Sequence, residues 1–415
     1  MTASDRTRPR RRLWRRIILL IFVVALVAVP TSVGPPSRPA TLAPVPVRSG
    51  FERSGNASIA RDCGYSAALP ASPGHSLWLF CDTAVYARAT GTGGHVTWAL
   101  RQFITGSTAA AGLTVAGRGP AGRAPGQLSE VSTPGSAAAP SPDAAPAPFL
   151  PAPTGLVTAT GLPCGSGGAS SSYAASWISG VTRVPRAPDL LIAFNNYCVL
   201  GGAGGFLPEG FGLVEYDPAT GTLSNNVTVF SGTSLDTAPA AKLLGSPVFS
   251  GSYLYLFGPT CTALATGKCA TGTLFEARVP ASTLSWTDPL SYQWRSHGPS
   301  GSWTPDPAAA TSIIPGAAPS AVSVADFPSA GRQFVLVEQT DITGAFTVFG
   351  APAPDGSWKR IRSGRVPCRA GTGFANFCRA IIGQPGLSTP GQLVLSYFDP
   401  AQGPHGHVMV AGFRW

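Results

Sequence analysis

Leu77-Trp78-Leu79-Phe80-Cys81-Asp82-Thr83 is a short apolar run that ends in polar residues, and the chain repeats that pattern four more times. The counterparts are Leu190–Phe194, Leu254–Phe257, Phe334–Val337 and Leu393–Tyr397. Before each lies a shorter strand candidate and a turn: Tyr65–Leu69, Tyr173–Ile178, Pro247–Phe249, Ala321–Val324 and Arg379–Ile382. Three of the runs are followed by a further strand candidate, at Phe211–Tyr216, Thr273–Val279 and Ala345–Phe349. Runs this short, bounded by turn residues, read as strands. Five units in a fixed order, at 57–125, 170–232, 243–304, 316–366 and 377–415, predict an all-β, five-bladed β-propeller. A two-sheet sandwich is the rival, and about 350 residues is large for one. Residues 107–153, rich in Ala, Pro, Gly and Ser, read as an irregular excursion after the first unit.

Composition agrees. The 415 residues include 50 Gly and 41 Pro, and only 12% are charged. Both residues penalise helix interiors, which excludes a helical bundle or coiled coil. The net charge of +10 is concentrated at the start, where residues 1–16 hold seven Arg and one Asp. The rest is nearly balanced and lacks the basic stripe of a nucleic-acid binder.

That basic start, Arg10-Arg11-Arg12-Leu13-Trp14-Arg15-Arg16, precedes an apolar run from Ile17 to Val29. As a helix the run reaches ~20 Å, short of the ~30 Å hydrocarbon core. It predicts a single N-terminal apolar signal or anchor helix within residues 1–34, with Arg on the cytoplasmic side. Residues 35–56 read as a Pro-rich linker. The propeller, 57–415, then lies outside the cytoplasm, tethered to the membrane or secreted.

The cysteines fit that compartment. Cys63, Cys81, Cys164, Cys198, Cys261, Cys269, Cys368 and Cys378 form an even set behind an export signal, which predicts disulfides between sequence neighbours. There is no C-x-x-C, and the five His are scattered, so neither metal nor cofactor is expected. His405-Gly406-His407 could present two imidazoles on one side, but a solvated turn explains it as well.

Chemistry concentrates in the first unit. A hairpin centred near Ser72 and Pro73 would set Cys63 opposite Cys81 and Asp62 opposite Asp82. Opposed strand residues have Cβ atoms about 4.5–5.5 Å apart. Two carboxyls so close do not both ionise freely, and a pair with split pKa values suits acid/base work on a glycosidic bond. The bland alternative is that each Asp caps a turn, neutralised by Arg61 or Arg88.

The stretch Arg61-Asp62-x-Gly64-Tyr65-Ser66 … Leu77-Trp78-Leu79-Phe80-x-Asp82-Thr83 resembles the opening of a family of exported bacterial five-bladed propellers. The family was long classed as a domain of unknown function and includes glycoside hydrolases that cut arabinofuranose polymers. Ala174–Gly180, Glu209–Asp217 and Gln384–Gly391 add to the resemblance, which spans 57–415. It implies Asp62 and Asp82 as the catalytic pair and a cell-envelope polysaccharide as partner. Two departures stand out: Cys81 replaces the family's usual Gly, and Gln384-Pro385-Gly386 stands where His-Pro-Glu is usual. These motivate the alternative of a non-catalytic glycan-binding or scaffold propeller. Tyr65, Trp177, Asn196, Glu338 and Gln384 are the candidate sugar-binding residues; for Trp177 packing, and for Asn196 a turn, are the competing explanations.

Overall fold

The strongest sequence signals are the second strands of five blades, which are buried on both faces by neighbouring blades and so read as continuous apolar runs. In the computed structural model the described residues are 43–415, apart from 54, 56, 92, 117–122, 137–142, 158–160, 166–171, 201–204, 232–238, 262–263, 266–267, 270–271, 298–300, 318, 329–330, 332–333 and 371–376. The chain enters on β1 (Val45–Pro46) and makes a helical turn, α1 (Gly50–Arg53). Blade one comprises β2 (Ala57–Ala68), β3 (His75–Thr90), β4 (Val96–Ile104), β5 (Thr108–Ala116) and β6 (Arg123–Glu130). Blade two is β7 (Tyr173–Arg183), β8 (Leu190–Val199), β9 (Phe206–Asp217) and β10 (Thr222–Ser231).

Blade three holds β11 (Gly245–Ser250) and β12 (Tyr253–Cys261). A small ladder of β13 (Leu264–Ala265) and β14 (Lys268–Cys269) precedes its β15 (Gly272–Pro280), β16 (Gln293–Arg295) and β17 (Trp303–Thr304). Blade four is β18 (Ala321–Asp326), β19 (Phe334–Gln339), β20 (Ala345–Ala351) and β21 (Lys359–Arg365). Blade five is β22 (Arg379–Gly383), β23 (Gln392–Asp399) and β24 (His407–Arg414), with β1 as its outermost strand.

The innermost strands β2, β7, β11, β18 and β22 each pack on the next, and β22 returns to β2. That closes the ring. The β1–β24 pairing, Val45 with Val410 and Pro46 with Met409, ties the start of the fold to its end. Residues 45–53 therefore belong to the propeller, and the expected linker is shorter than predicted. The apolar segment at 1–34 lies outside the described residues; among those residues no helix is long and apolar enough to cross a membrane.

Each of the five blade junctions has its own apolar cluster. Leu79, Ile178 and Ile192 fill the first, and Leu191, Phe211, Leu256 and Trp294 the second. Phe257, Leu336 and Trp358 fill the third, and Val337, Phe346, Leu395 and Phe413 the fourth. Trp78, Phe80, Val394 and Val410 seal blade five against blade one. Truncating a fully buried leucine such as Leu256 or Leu395 to alanine costs about 2–5 kcal/mol.

The expected excursion at 107–153 is corrected in its first half, because β5 and β6 are ordinary strands of blade one. Their small residues are what the packing demands. Ala109 and Ala110 are fully buried, and a Cβ at Gly112 would lie 2.3 Å from the Gln127 carbonyl.

Three of the expected neighbour disulfides are in place: Cys63–Cys81, Cys164–Cys198 and Cys368–Cys378. Cys261 is also disulfide-bonded. Such bonds persist in oxidising compartments and support an extracytoplasmic location.

Candidate active site

The β2–β3 hairpin turns where expected, with Ala68 opposite Ser76, and Arg61 opposite Thr83. Between these points the register slips twice, on either side of Cys63, which pairs with Phe80. The regular opposition of Asp62 and Asp82 is thus replaced by a bulge. Cys63 takes φ +66° and Gly64 φ +101°. At Gly64 a side chain is also sterically excluded, since its Cβ would stand 2.7 Å from Val408 on blade five. Bulges of this kind re-aim side chains, and Asp62 sits within this one. The Cys63–Cys81 bond pins the bulge to β3 beside both acids. Asp62, Cys63 and Cys81 bring their polar atoms within 4.8 Å of one another, but the sulfurs are bonded together and offer no thiolate to a metal.

The two carboxyls have different surroundings. Asp62 Oδ2 receives the Arg379 Nε–H at 2.6 Å, both side chains remaining about one quarter exposed. The guanidinium also covers the Phe398 ring at 4.1 Å. Asp82 is half-buried. Its Oδ1 accepts from the Gly106 amide at 2.7 Å and from Trp177 Nε1 at 2.8 Å, and its Oδ2 accepts from the Tyr173 hydroxyl at 2.5 Å. Burial pushes Asp82 up to about 6; the three hydrogen bonds oppose that rise and the nearby Asp62 charge adds to it. Gly106 reaches Asp82 through a turn at φ +96°, a conformation that favours glycine.

Arg61 belongs to neither acid. It makes a bidentate bond to Glu130, at 3.0 and 3.1 Å, with both side chains buried. Alternation along β2 sends Arg61 and Asp62 to opposite faces, so the arginine expected to neutralise the site is occupied elsewhere. Arg379 takes that place.

The structure gathers some sequence candidates and disperses others. Trp177 is in the site, held against Asp82, with Tyr197 at 4.6 Å and Phe206 at 5.2 Å between ring centroids. Tyr65 is half-buried against the cluster joining blades one and two, and burial raises its phenol pKa. Asn196 is buried; it accepts from Ser176 at 2.8 Å and donates to Thr228 at 3.2 Å, within blade two. Glu338 is buried on β19 between Val322 and Thr347.

Gln384 has no exposed surface and bridges blades five and one. It accepts from Ser66 at 2.5 Å and donates to the Gly64 carbonyl at 2.8 Å and the Ser396 hydroxyl at 2.7 Å. It therefore supports the bulge from beneath. The exposed Gly386 follows β22, while Arg379 begins it, so the two lie toward opposite ends of the blade. His407 is buried near Glu52; burial, with the neighbouring Arg48 and Arg61 charges, holds the His407 imidazole pKa down to about 4. His405 stacks on Tyr86.

Sequence reasoning missed Tyr173, Arg379 and the Gly106 amide. Tyr173 was within reach, because it shares a strand face with Trp177 four residues on. Tyr173 and Arg379 are the first residues of β7 and β22, the innermost strands on either side of blade one.

The chain is a five-bladed propeller whose first blade carries two carboxyls, Asp62 and Asp82, close enough to feel each other's charge. No family model and no curated protein sequence matches the chain. Among solved structures it is similar to a protein from Bacteroides ovatus provisionally described as a hydrolase. The TM-score is 0.50 at 14% identity, over 89% of this chain and 93% of that one. A family 117 glycoside hydrolase from Zobellia galactanivorans gives 0.42 at 9% identity over 89% of each chain. An α-L-arabinofuranosidase from Fusarium graminearum gives 0.34 at 10% identity, over 86% of this chain and 76% of that one. At 14% identity, what the chain shares with the Bacteroides ovatus protein is the fold.

Proposed function

We propose that the chain is an extracytoplasmic glycoside hydrolase acting on an arabinofuranose-type or related cell-envelope polysaccharide, with Asp62 and Asp82 as its working carboxyls. The observation that carries this reading is the unequal treatment of the two acids. Asp82, pushed up to about 6 by burial, retains a proton to give to the leaving oxygen. Asp62, facing a guanidinium, supplies the negative charge that either attacks the sugar or takes a proton from water. Acids whose environments separate their proton affinities are the equipment of glycosidic cleavage. The exposed Phe206 and the half-buried Trp177, backed by the buried Tyr197, offer apolar ring faces of the kind sugars stack on. The Arg-rich apolar N-terminus serves as export signal or anchor in this reading, placing the propeller beside envelope glycans.

The test is turnover by the exported full chain, with disulfides formed, on arabinan, arabinogalactan and mixed envelope polysaccharide. New reducing ends from the parent, absent from Asp62→Asn and Asp82→Asn, are the expected result. Binding of a polymer without cleavage by the parent would replace the hydrolase with a glycan-binding propeller.

A further inference from the structure

Both N–H donors at Asp82 fall on one oxygen. Gly106 N and Trp177 Nε1 approach Oδ1 at 2.7 and 2.8 Å, and an N–H group donates without accepting. Oδ1 is thereby filled as an acceptor, so a proton carried by Asp82 resides on Oδ2. The group facing Oδ2 is the Tyr173 hydroxyl at 2.5 Å. A hydroxyl donates and accepts. When Asp82 is ionised, Tyr173 donates to it; when Asp82 is protonated, Oδ2–H donates to Tyr173, whose own proton turns to another acceptor. Tyr173 is half-buried, and among the described residues its hydroxyl has no second hydrogen-bond partner shown; the exposed Phe103 packs edge-on against its ring at 5.5 Å.

We infer that Tyr173 is the terminal proton donor of the site, relaying the proton of Asp82 Oδ2 to the leaving oxygen. This rests on the hydrolase reading above. In one concerted step the Tyr173 proton passes to the glycosidic oxygen while the Asp82 proton passes to Tyr173 Oη. The bond from the anomeric carbon to that oxygen breaks, and its electron pair stays on the oxygen. The carbon is taken by the Asp62 carboxylate, or by a water whose proton Asp62 accepts. Tyr173 ends neutral and Asp82 ends as carboxylate. Tyr173 cannot act alone, because burial and the Asp82 charge raise its own pKa; the charged groups around the pair are Asp62 and its partner Arg379.

The experiment compares the parent with Tyr173→Phe on two substrates: a natural glycan, whose alkoxide leaving group needs a proton, and a dinitrophenyl glycoside, which does not. Positioned acid catalysis contributes about 10²–10⁴-fold. The relay predicts a loss of about that size on the glycan and less than about tenfold on the aryl glycoside. If Tyr173→Phe keeps its rate on both substrates while the basic limb moves to higher pH, Asp82 donates directly and the relay is overturned. Equal losses on both substrates, with or without a fall in melting temperature, also overturn it.

A second measurement needs no turnover. The Cζ resonance of Tyr173 in the 13C-tyrosine-labelled protein should titrate with the Asp82 carboxyl, and this inflection should vanish in Asp82→Asn. Its absence in the parent sinks the relay. Its presence in a parent that cuts no glycan sustains the coupled pair while rejecting the hydrolase reading.

Discussion

Arg379 and Asp62, 317 positions apart, meet at 2.6 Å across the seam where the last blade closes on the first. The contact exists only because the ring closes, so the site and the closure are one structural event. Arg379→Met removes a charged hydrogen bond worth about 1.5–3 kcal/mol. The expected result is a fall of about 10- to 150-fold in kcat/KM, with Arg379→Lys recovering part of it. An unchanged kcat/KM in Arg379→Met would leave the arginine as a seam residue with no bearing on Asp62.

Asp82 gives the site a pH signature. Its carboxyl is pushed up to about 6 by burial, so the proposed acid role predicts that turnover falls as pH rises through 6. The same shift acts on stability. Between about pH 4 and 6 the folded chain binds more proton at this position than the unfolded chain, so stability decreases as pH rises through that window. Asparagine can still accept from Gly106 and Trp177 while its amide faces Tyr173. Asp82→Asn should therefore be more stable than the parent above pH 7, by at most about 3 kcal/mol. The difference should vanish below pH 4 in parallel urea titrations.

The Cys63–Cys81 bond closes a hairpin of sequence separation 18 beside both acids. Loop-closure entropy for such a length is about 3 kcal/mol. Cys63→Ala/Cys81→Ala should lose about that much stability. It should also lose turnover at temperatures where the variant is fully folded, because Asp62 sits in the bulge the bond pins. Retention of full kcat in the folded variant would mean that the backbone at Gly64 holds the bulge unaided.

Arg61 and Glu130 form a buried ion pair between β2 and β6 of blade one. Arg61→Met strands the buried Glu130 carboxylate and should cost about 3–5 kcal/mol, most of it recovered in Arg61→Met/Glu130→Leu. Chemical denaturation of the three proteins checks this. The double variant should keep kcat, since neither residue touches Asp62 or Asp82.

The blades were legible because a strand packed on both faces must be apolar throughout: Leu190–Phe194 and Leu393–Tyr397 announce themselves. The β5 strand was illegible, because the close approach at Gly112 requires the small residues that also make low-complexity sequence. Asp62 and Asp82 could be found from the hairpin, but their geometry could not. Regular strand pairing has no place for the bulge at Cys63, beside which Gly64 passes close to Val408 of a blade more than 300 residues away. Arg379 was hidden for the same reason, whereas Tyr173 needed only the two-residue period of β7.

Gln384 and Gly386, where the chain departs from the family it resembles, test what that resemblance implied. A glycan contact at Gln384 predicts that Gln384→Ala raises KM and leaves stability alone. Its burial, and its bonds to Ser66, Gly64 and Ser396, predict the reverse: a loss of about 1–3 kcal/mol from unpaired polar groups, with KM held. A Cβ at Gly386 meets nothing within 4 Å, so Gly386→Glu should change stability by less than about 0.5 kcal/mol. It should also leave kcat/KM unaltered, because the added carboxylate lies toward the far end of blade five from Arg379. A rise in KM for Gln384→Ala without destabilisation would return this segment to the binding surface.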